Sequence, residues 1–185
     1  MAVSEFLDKK LDRRFRTYDL DGDGRLEQRD FERAAHRVNA MFGLDTADPR
    51  AVSLRATLDG LWHGLTAAAA VDGNGRIDLA EYKAVFAERI LRDRDTFLAN
   101  YQPFIDSLLA IADGDGDGRI DEDGHIKWYT ALMRISSGDA AESFRRLDRD
   151  GDGYVTRAEM ARAVLDYYFS EDPEAPGNWL LGRID

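Results

Sequence analysis

Asp148-Arg-Asp-Gly-Asp-Gly-Tyr-Val-Thr-Arg-Ala-Glu159 places acids at positions 1, 3, 5 and 12 of a twelve-residue stretch, with glycine at 6 and valine at 8. The stretch is entered by Phe144 and Leu147 and left by Met160, Val164, Leu165 and Tyr168, apolar steps of three and four that mark one helix face. The same order of acid, glycine and aliphatic residue recurs at 19–30, 70–81 and 113–124, with Gly24, Gly75 and Gly118 aligned on Gly153 and Leu26, Ile77 and Ile120 aligned on Val155. Helical patterns flank each copy. Phe6, Leu7, Leu11, Phe15 and Tyr18 precede the first, and Phe31, Ala34, Ala35, Val38 and Met41 follow it. Leu54, Leu58, Leu61, Trp62 and Leu65 lead into the second; Tyr82, Val85, Phe86 and Ile90 leave it. Phe97, Tyr101, Phe104, Leu108 and Ile111 lead into the third, with Pro103 predicting a kink or a fresh helix start, and Ile126, Tyr129, Leu132 and Met133 follow. The pattern is helix–loop–helix four times.

Crowded carboxylates between helices repel one another unless a cation lies among them. Calcium takes six to eight oxygens, and a twelve-residue loop can supply them from side chains at 1, 3 and 5, a backbone carbonyl at 7, often a water held at 9, and a two-oxygen acid at 12. Glycine is needed at 6 for the sharp turn, and the aliphatic residue at 8 pairs with its counterpart in a neighbouring loop. These are EF-hand loops. The fourth fits throughout: Asp148, Asp150, Asp152, the Tyr154 carbonyl, Thr156 at 9 and Glu159. The first has Asp19, Asp21, Asp23, the Arg25 carbonyl and Glu27, but Asp30 at 12 is a methylene shorter than glutamate. That predicts a smaller site with weaker discrimination against Mg²⁺.

The third loop offers Asp113, Asp115, Asp117, the Arg119 carbonyl and Asp121, but Gly124 stands where the bidentate acid belongs. Asp123, one residue early, points elsewhere on a helix, so a weaker site is expected and its occupancy stays open. The second loop begins with Ala70, although Asp72, Asn74, Arg76, Asp78 and Glu81 keep register. Its expected role is to pair with the first hand, Leu26 against Ile77, as Ile120 pairs with Val155. The expected fold is therefore all-α: four EF-hands in two pairs, compact, with short β contacts between paired loops. The expected division is an N-terminal pair at 1–95, a C-terminal pair at 96–172, and an apolar tail at 173–185 packing on the helices.

The chain resembles the four-EF-hand sarcoplasmic calcium-binding proteins and their prokaryotic relatives of the calerythrin type. The resemblance rests on the loop series, the long interval between the first two hands, the degraded second loop, and the tail from Asp172 to Gly182 with Trp179, Leu180 and Leu181. It implies two EF-hand pairs packed together, a tail tucked into the apolar space between them, and calcium buffering or signalling without catalysis. Gly124 departs from the family habit of binding at the first, third and fourth loops.

Composition narrows the alternatives. Among 185 residues, 25 basic against 36 acidic side chains give a net charge of −11, which argues against nucleic acid and against an anionic membrane surface. With no cysteine, disulfides and thiolate sites are excluded. The first residues lack a signal-peptide pattern and no apolar run approaches a membrane span, so a cytoplasmic monomer is expected. His36, His63 and His125 lie on separate helices without metal-ligand spacing, and their expected place is a helix surface or partial burial; no enzyme is expected. A dockerin-like module is shorter and lacks the amphipathic segment at 4–18. A buffer needs no partner, whereas a sensor exposes an apolar groove to a target protein. Only Met41, Met133 and Met160 are internal methionines, and aromatic residues dominate, which favours a defined core and hence the buffer. Trp62 and Trp128 are expected in that core.

Overall fold

The computed structural model describes residues 4–69 and 75–184. The Ser4 hydroxyl accepts from the Leu7 amide at 3.1 Å and opens α1, Glu5–Tyr18, whose inward face carries Leu11, Phe15 and Tyr18. The first loop leads through β1, Arg25–Leu26, into α2, Gln28–Phe42. Then come α3, Pro49–Ala69; β2, Ile77–Asp78; and α4, Leu79–Val85. The C-terminal series is α5, Arg94–Ala112; β3, Arg119–Ile120; α6, Glu122–Trp128; α7, Ser137–Leu147; β4, Val155–Thr156; and α8, Arg157–Phe169. None of the described helices is long and apolar enough to cross a membrane.

The loops pair through their position-8 residues. β1 runs antiparallel to β2 with Leu26 opposite Ile77, and β3 to β4 with Ile120 opposite Val155. All four side chains are fully buried, so each two-residue ribbon is held from beneath by the core. Alone such a ribbon would not persist.

Three features depart from the sequence reading. Pro103 starts no new helix: α5 continues through it, because Tyr101, Phe104, Ile105, Leu108 and Leu109 are buried on either side and outweigh one lost backbone bond. The outgoing helices of the second and third hands change pitch, α4 into a π-helical turn at Phe86–Ile90 and α6 into another at Tyr129–Met133. Met41, expected on the apolar face of α2, is 45% exposed near the end of that helix.

One buried cluster runs through both pairs. Phe15 meets Tyr82 edge-on at 5.5 Å, Phe86 stacks on Tyr168 at 5.8 Å, and Phe104 meets Trp128 at 5.9 Å. Polar links cross the same seam. The Tyr167 hydroxyl donates to the Lys10 carbonyl at 2.7 Å, Arg37 Nε to the Ala131 carbonyl at 2.9 Å, and Arg134 Nη1 to the Asp19 carbonyl at 2.9 Å. Lys10 Nζ donates to the Ser170 carbonyl at 2.8 Å, closing the end of α8, while burial lowers its amine to about 8. Beyond α8, a 3₁₀ turn at Pro176–Trp179 packs on α7 and α8, and Leu180 and Leu181 are buried. A Cβ at Gly177 would lie 2.5 Å from the Ala163 carbonyl oxygen, so this turn approaches α8 too closely for any other residue.

Candidate metal centres

The first, third and fourth loops fold by hydrogen-bonding their own acids to their own amides. In the fourth, Asp148 Oδ1 accepts from the Gly151 amide at 2.8 Å and Oδ2 from Gly153 at 3.0 Å. Asp150 accepts from Asp152 at 3.2 Å, and Asp152 from Tyr154 at 2.9 Å. Gly153 has φ of 87°, a left-handed turn that a side chain would strain. The third loop repeats the arrangement: Asp113 accepts from Gly116 at 2.7 Å and Gly118 at 2.8 Å. In the first, Asp19 accepts from Gly24 at 3.1 Å. Glycines at position 4 (Gly22, Gly116 and Gly151) also have positive φ, a feature visible in the aligned loops but not singled out there.

The result is three triads of ligand-competent oxygens: Asp19, Asp21 and Asp23; Asp113, Asp115 and Asp117; Asp148, Asp150 and Asp152. In each, the oxygens lie within 4.8 Å of one another. Three carboxylates this close suit a hard, oxygen-seeking cation. Ala70, Asp72 and Asn74 of the second loop lie outside the described residues. Its later members cap α4 reciprocally, Glu81 accepting from the Asp78 amide and Asp78 from the Glu81 amide, each at 2.9 Å.

Position 12 separates the loops. Glu159 reaches across the fourth: Oε1 accepts from the Arg149 amide at 2.9 Å and Oε2 from Thr156 at 2.9 Å. Burial pushes its carboxyl up, but these bonds outweigh burial and leave it below its ordinary range. Asp30 is too short to cross. Its Oδ2 accepts from the Glu27 amide at 2.9 Å, its buried Oδ1 has no protein partner, and burial raises its carboxyl. Asp19 Oδ1 is likewise buried without a protein donor, so two carboxylate oxygens of the first loop suit a cation better than a hydrogen bond. Glu27, at position 9, instead meets Arg29 at 2.8 Å and Arg76 of the neighbouring loop at 2.6 Å.

The third loop has a steric peculiarity that the sequence did not disclose. A Cβ at Gly124 would lie 2.1 Å from the Ala112 carbonyl oxygen, so α6 begins against the end of α5 and leaves no room for a position-12 side chain. Asp121 accepts from the Gly124 amide at 2.8 Å as the cap of α6, and Asp123 turns outward to Lys127. Arg119 meets the Asp117 carboxylate and lies 4.0 Å over the Tyr154 ring, tying the third loop to the fourth. Tyr154 and Arg25 occupy position 7 of their loops, immediately before β4 and at the start of β1.

Among the described residues no histidine joins a metal-competent cluster. His63 pairs with Asp59 at 3.4 Å on an exposed face. His125, expected at a surface or half-buried, is fully buried. It stacks on Tyr129 at 3.9 Å with Nε2 3.3 Å from the Ser143 hydroxyl, and burial lowers it to about 3. The metal-competent clusters among the described residues contain only aspartate.

Paired helix–loop–helix units around such triads define an EF-hand protein of the four-hand class. The EF hand family model matches residues 11–34 and 141–165. Calerythrin of Saccharopolyspora erythraea is 30% identical over 161 residues, 86% of this chain and 90% of its own. The beta chain of the Penaeus sp. sarcoplasmic calcium-binding protein is 27% identical over 175 residues, 90% of each chain. A calcium-binding protein of Streptomyces coelicolor, whose structure concerns prokaryotic calcium-mediated regulation, superposes with a TM-score of 0.76 at 32% identity, over 88% of this chain and 97% of its own. The chain belongs to the calerythrin and sarcoplasmic calcium-binding protein family of EF-hand proteins.

Proposed function

We propose that the protein is a calcium buffer or signal modulator of the cytoplasm, working through two strong sites and one weaker one. The observation that carries this reading is the set of three preassembled aspartate triads. The first strong site uses Asp19, Asp21, Asp23, the Arg25 carbonyl and Asp30; the second uses Asp148, Asp150, Asp152, the Tyr154 carbonyl and Glu159. The weaker site uses Asp113, Asp115, Asp117 and the Arg119 carbonyl, with Asp121 at position 9 and no acid at 12. Asp30, with its shorter reach, makes the first site the one that Mg²⁺ contests. Residues 1–95 and 96–172 act as the two EF-hand pairs, with 173–185 as a tail serving the second. Burial of Leu180 and Leu181 supports buffering, because the C-terminal pair then has no groove to offer a target. No catalysis is required.

Calorimetric titration of the metal-free protein with calcium, with and without millimolar magnesium, tests the reading. Two strong steps and at most one weak one are expected, with magnesium weakening the first-loop step more. Glu159→Gln should remove one strong step; an unchanged titration would falsify the ligand register.

A further inference from the structure

The apolar cleft of the C-terminal pair is occupied from within by Leu180, which sits among Trp128, Tyr129, Met133, Met160 and Val164. Where the N-terminal pair faces α5, no tail residue among those described lines the space. Between α3, α4 with its π-helical turn, and α5 lies a cavity of about 750 Å³, with Arg14 of α1 and Tyr168 of α8 also in its wall. That size falls within the roughly 300–1,000 Å³ of small-molecule pockets. Its lining is mostly apolar and aromatic, including Phe31, Tyr82, Phe97, Tyr101 and Phe104.

Two observations say what it takes. Arg14 is 3% exposed, and no carboxylate among the described residues pairs with it. Its Nη2 donates to the Tyr18 hydroxyl at 2.8 Å and its Nη1 to Met133 Sδ at 3.5 Å, while the guanidinium lies 4.8 Å from the Tyr18 ring and 5.5 Å from Phe104. A guanidinium cannot shed its charge, and a buried charge is ordinarily matched by an opposite one. Gly60 and Gly64, on the α3 wall, would each direct a Cβ into open space with nothing within 4 Å. Glycine inside a helix is disfavoured against alanine, so these two positions weaken α3 while keeping the cavity wide.

We propose that this cavity binds one amphipathic monoanion, its apolar body lying along α3 and α5 and its acidic head on the Arg14 guanidinium. The chain as a whole repels anions, so recognition of the head is local to Arg14. The site shares no ligand residue with the calcium loops, although Tyr18 and Phe31 adjoin the first, and it does not rest on their assignment.

The test uses the full-length, calcium-saturated protein. Decanoate is titrated against decanol and 2-naphthoate against 2-naphthol, so that alkyl and ring bodies are compared with and without the charge. One equivalent of at least one acid should bind, about tenfold or more tighter than its alcohol, as a charge-assisted hydrogen bond implies. Arg14→Met should abolish that preference while the alcohol still binds. Gly64→Leu, which grows into the space, should weaken acid and alcohol alike and leave the calcium titration unchanged, keeping the proposal testable if Arg14→Met does not fold. Equal affinity for acid and alcohol, no binding by either pair, binding only of an amphipathic peptide, or full decanoate affinity in Gly64→Leu would each overturn it.

Discussion

Replacing Gly124 by alanine opposes two simple rules. On an unobstructed helix, glycine to alanine stabilises by about 1 kcal/mol. Gly124 lies in the first turn of α6, where the added Cβ would come within 2.1 Å of the Ala112 carbonyl oxygen and 3.2 Å of its carbon. An ordinary carbon–oxygen contact is more than 1 Å longer than the first of these, and the obstacle is backbone, so the ends of α5 and α6 must separate. Overpacking of this kind costs about 1–3 kcal/mol. With the steric cost prevailing, a net loss of about 2 kcal/mol lowers the melting temperature by about 4–8 °C for a chain of this length. The measurement is calorimetric melting with a chelator present, so that metal linkage does not enter. Gly124→Glu, which looks like a repair of the third loop, should lose at least as much stability and gain no strong calcium step. A Gly124→Ala protein that melts at or above the wild-type temperature, or a Gly124→Glu protein with a third strong site, refutes the reasoning.

Asp30→Glu supplies the missing methylene in the first loop, and the ratio of calcium to magnesium affinity there should rise about tenfold; competition titration reads it. His125→Phe tests the buried imidazole. It is neutral in the folded protein, lowered to about 3, while the unfolded chain takes up a proton below about 6.5, so its contribution to stability shrinks as pH falls through that window. Between pH 7 and pH 5 wild type should lose about 2 kcal/mol relative to His125→Phe in urea unfolding, and parallel curves would contradict this. Leu181→Ala removes a fully buried side chain and should cost about 2–5 kcal/mol, read by the same unfolding assay.

The first, third and fourth loops, the flanking helices and both position-8 pairings were legible because each rests on a local spacing: acids two apart, a glycine at 6, apolar residues at helical steps. What was not legible depends on contacts distant in sequence. Gly124 read as a missing acid, and only the approach of α6 to Ala112 shows that a side chain is excluded there. Nothing in the local spacing around Arg14 marks it for burial, which comes from Tyr101 and Phe104 of the distant α5. His125 sits one step beyond a loop, where polarity suggests a surface, yet α7 closes over it through Ser143 and Phe144. The π-helical turns leave no mark in the apolar periodicity, since a single wide turn shifts the phase by less than one residue step.

Covalent attachment changes the odds at the C-terminal cleft. A segment tethered by a short linker is present at an effective concentration of about millimolar. A rival at about micromolar must therefore bind the bare cleft roughly a thousandfold more tightly, about 4 kcal/mol, merely to share it. Few transient encounters meet that demand, so burying Leu180 and Leu181 raises the threshold that any rival for the cleft must reach.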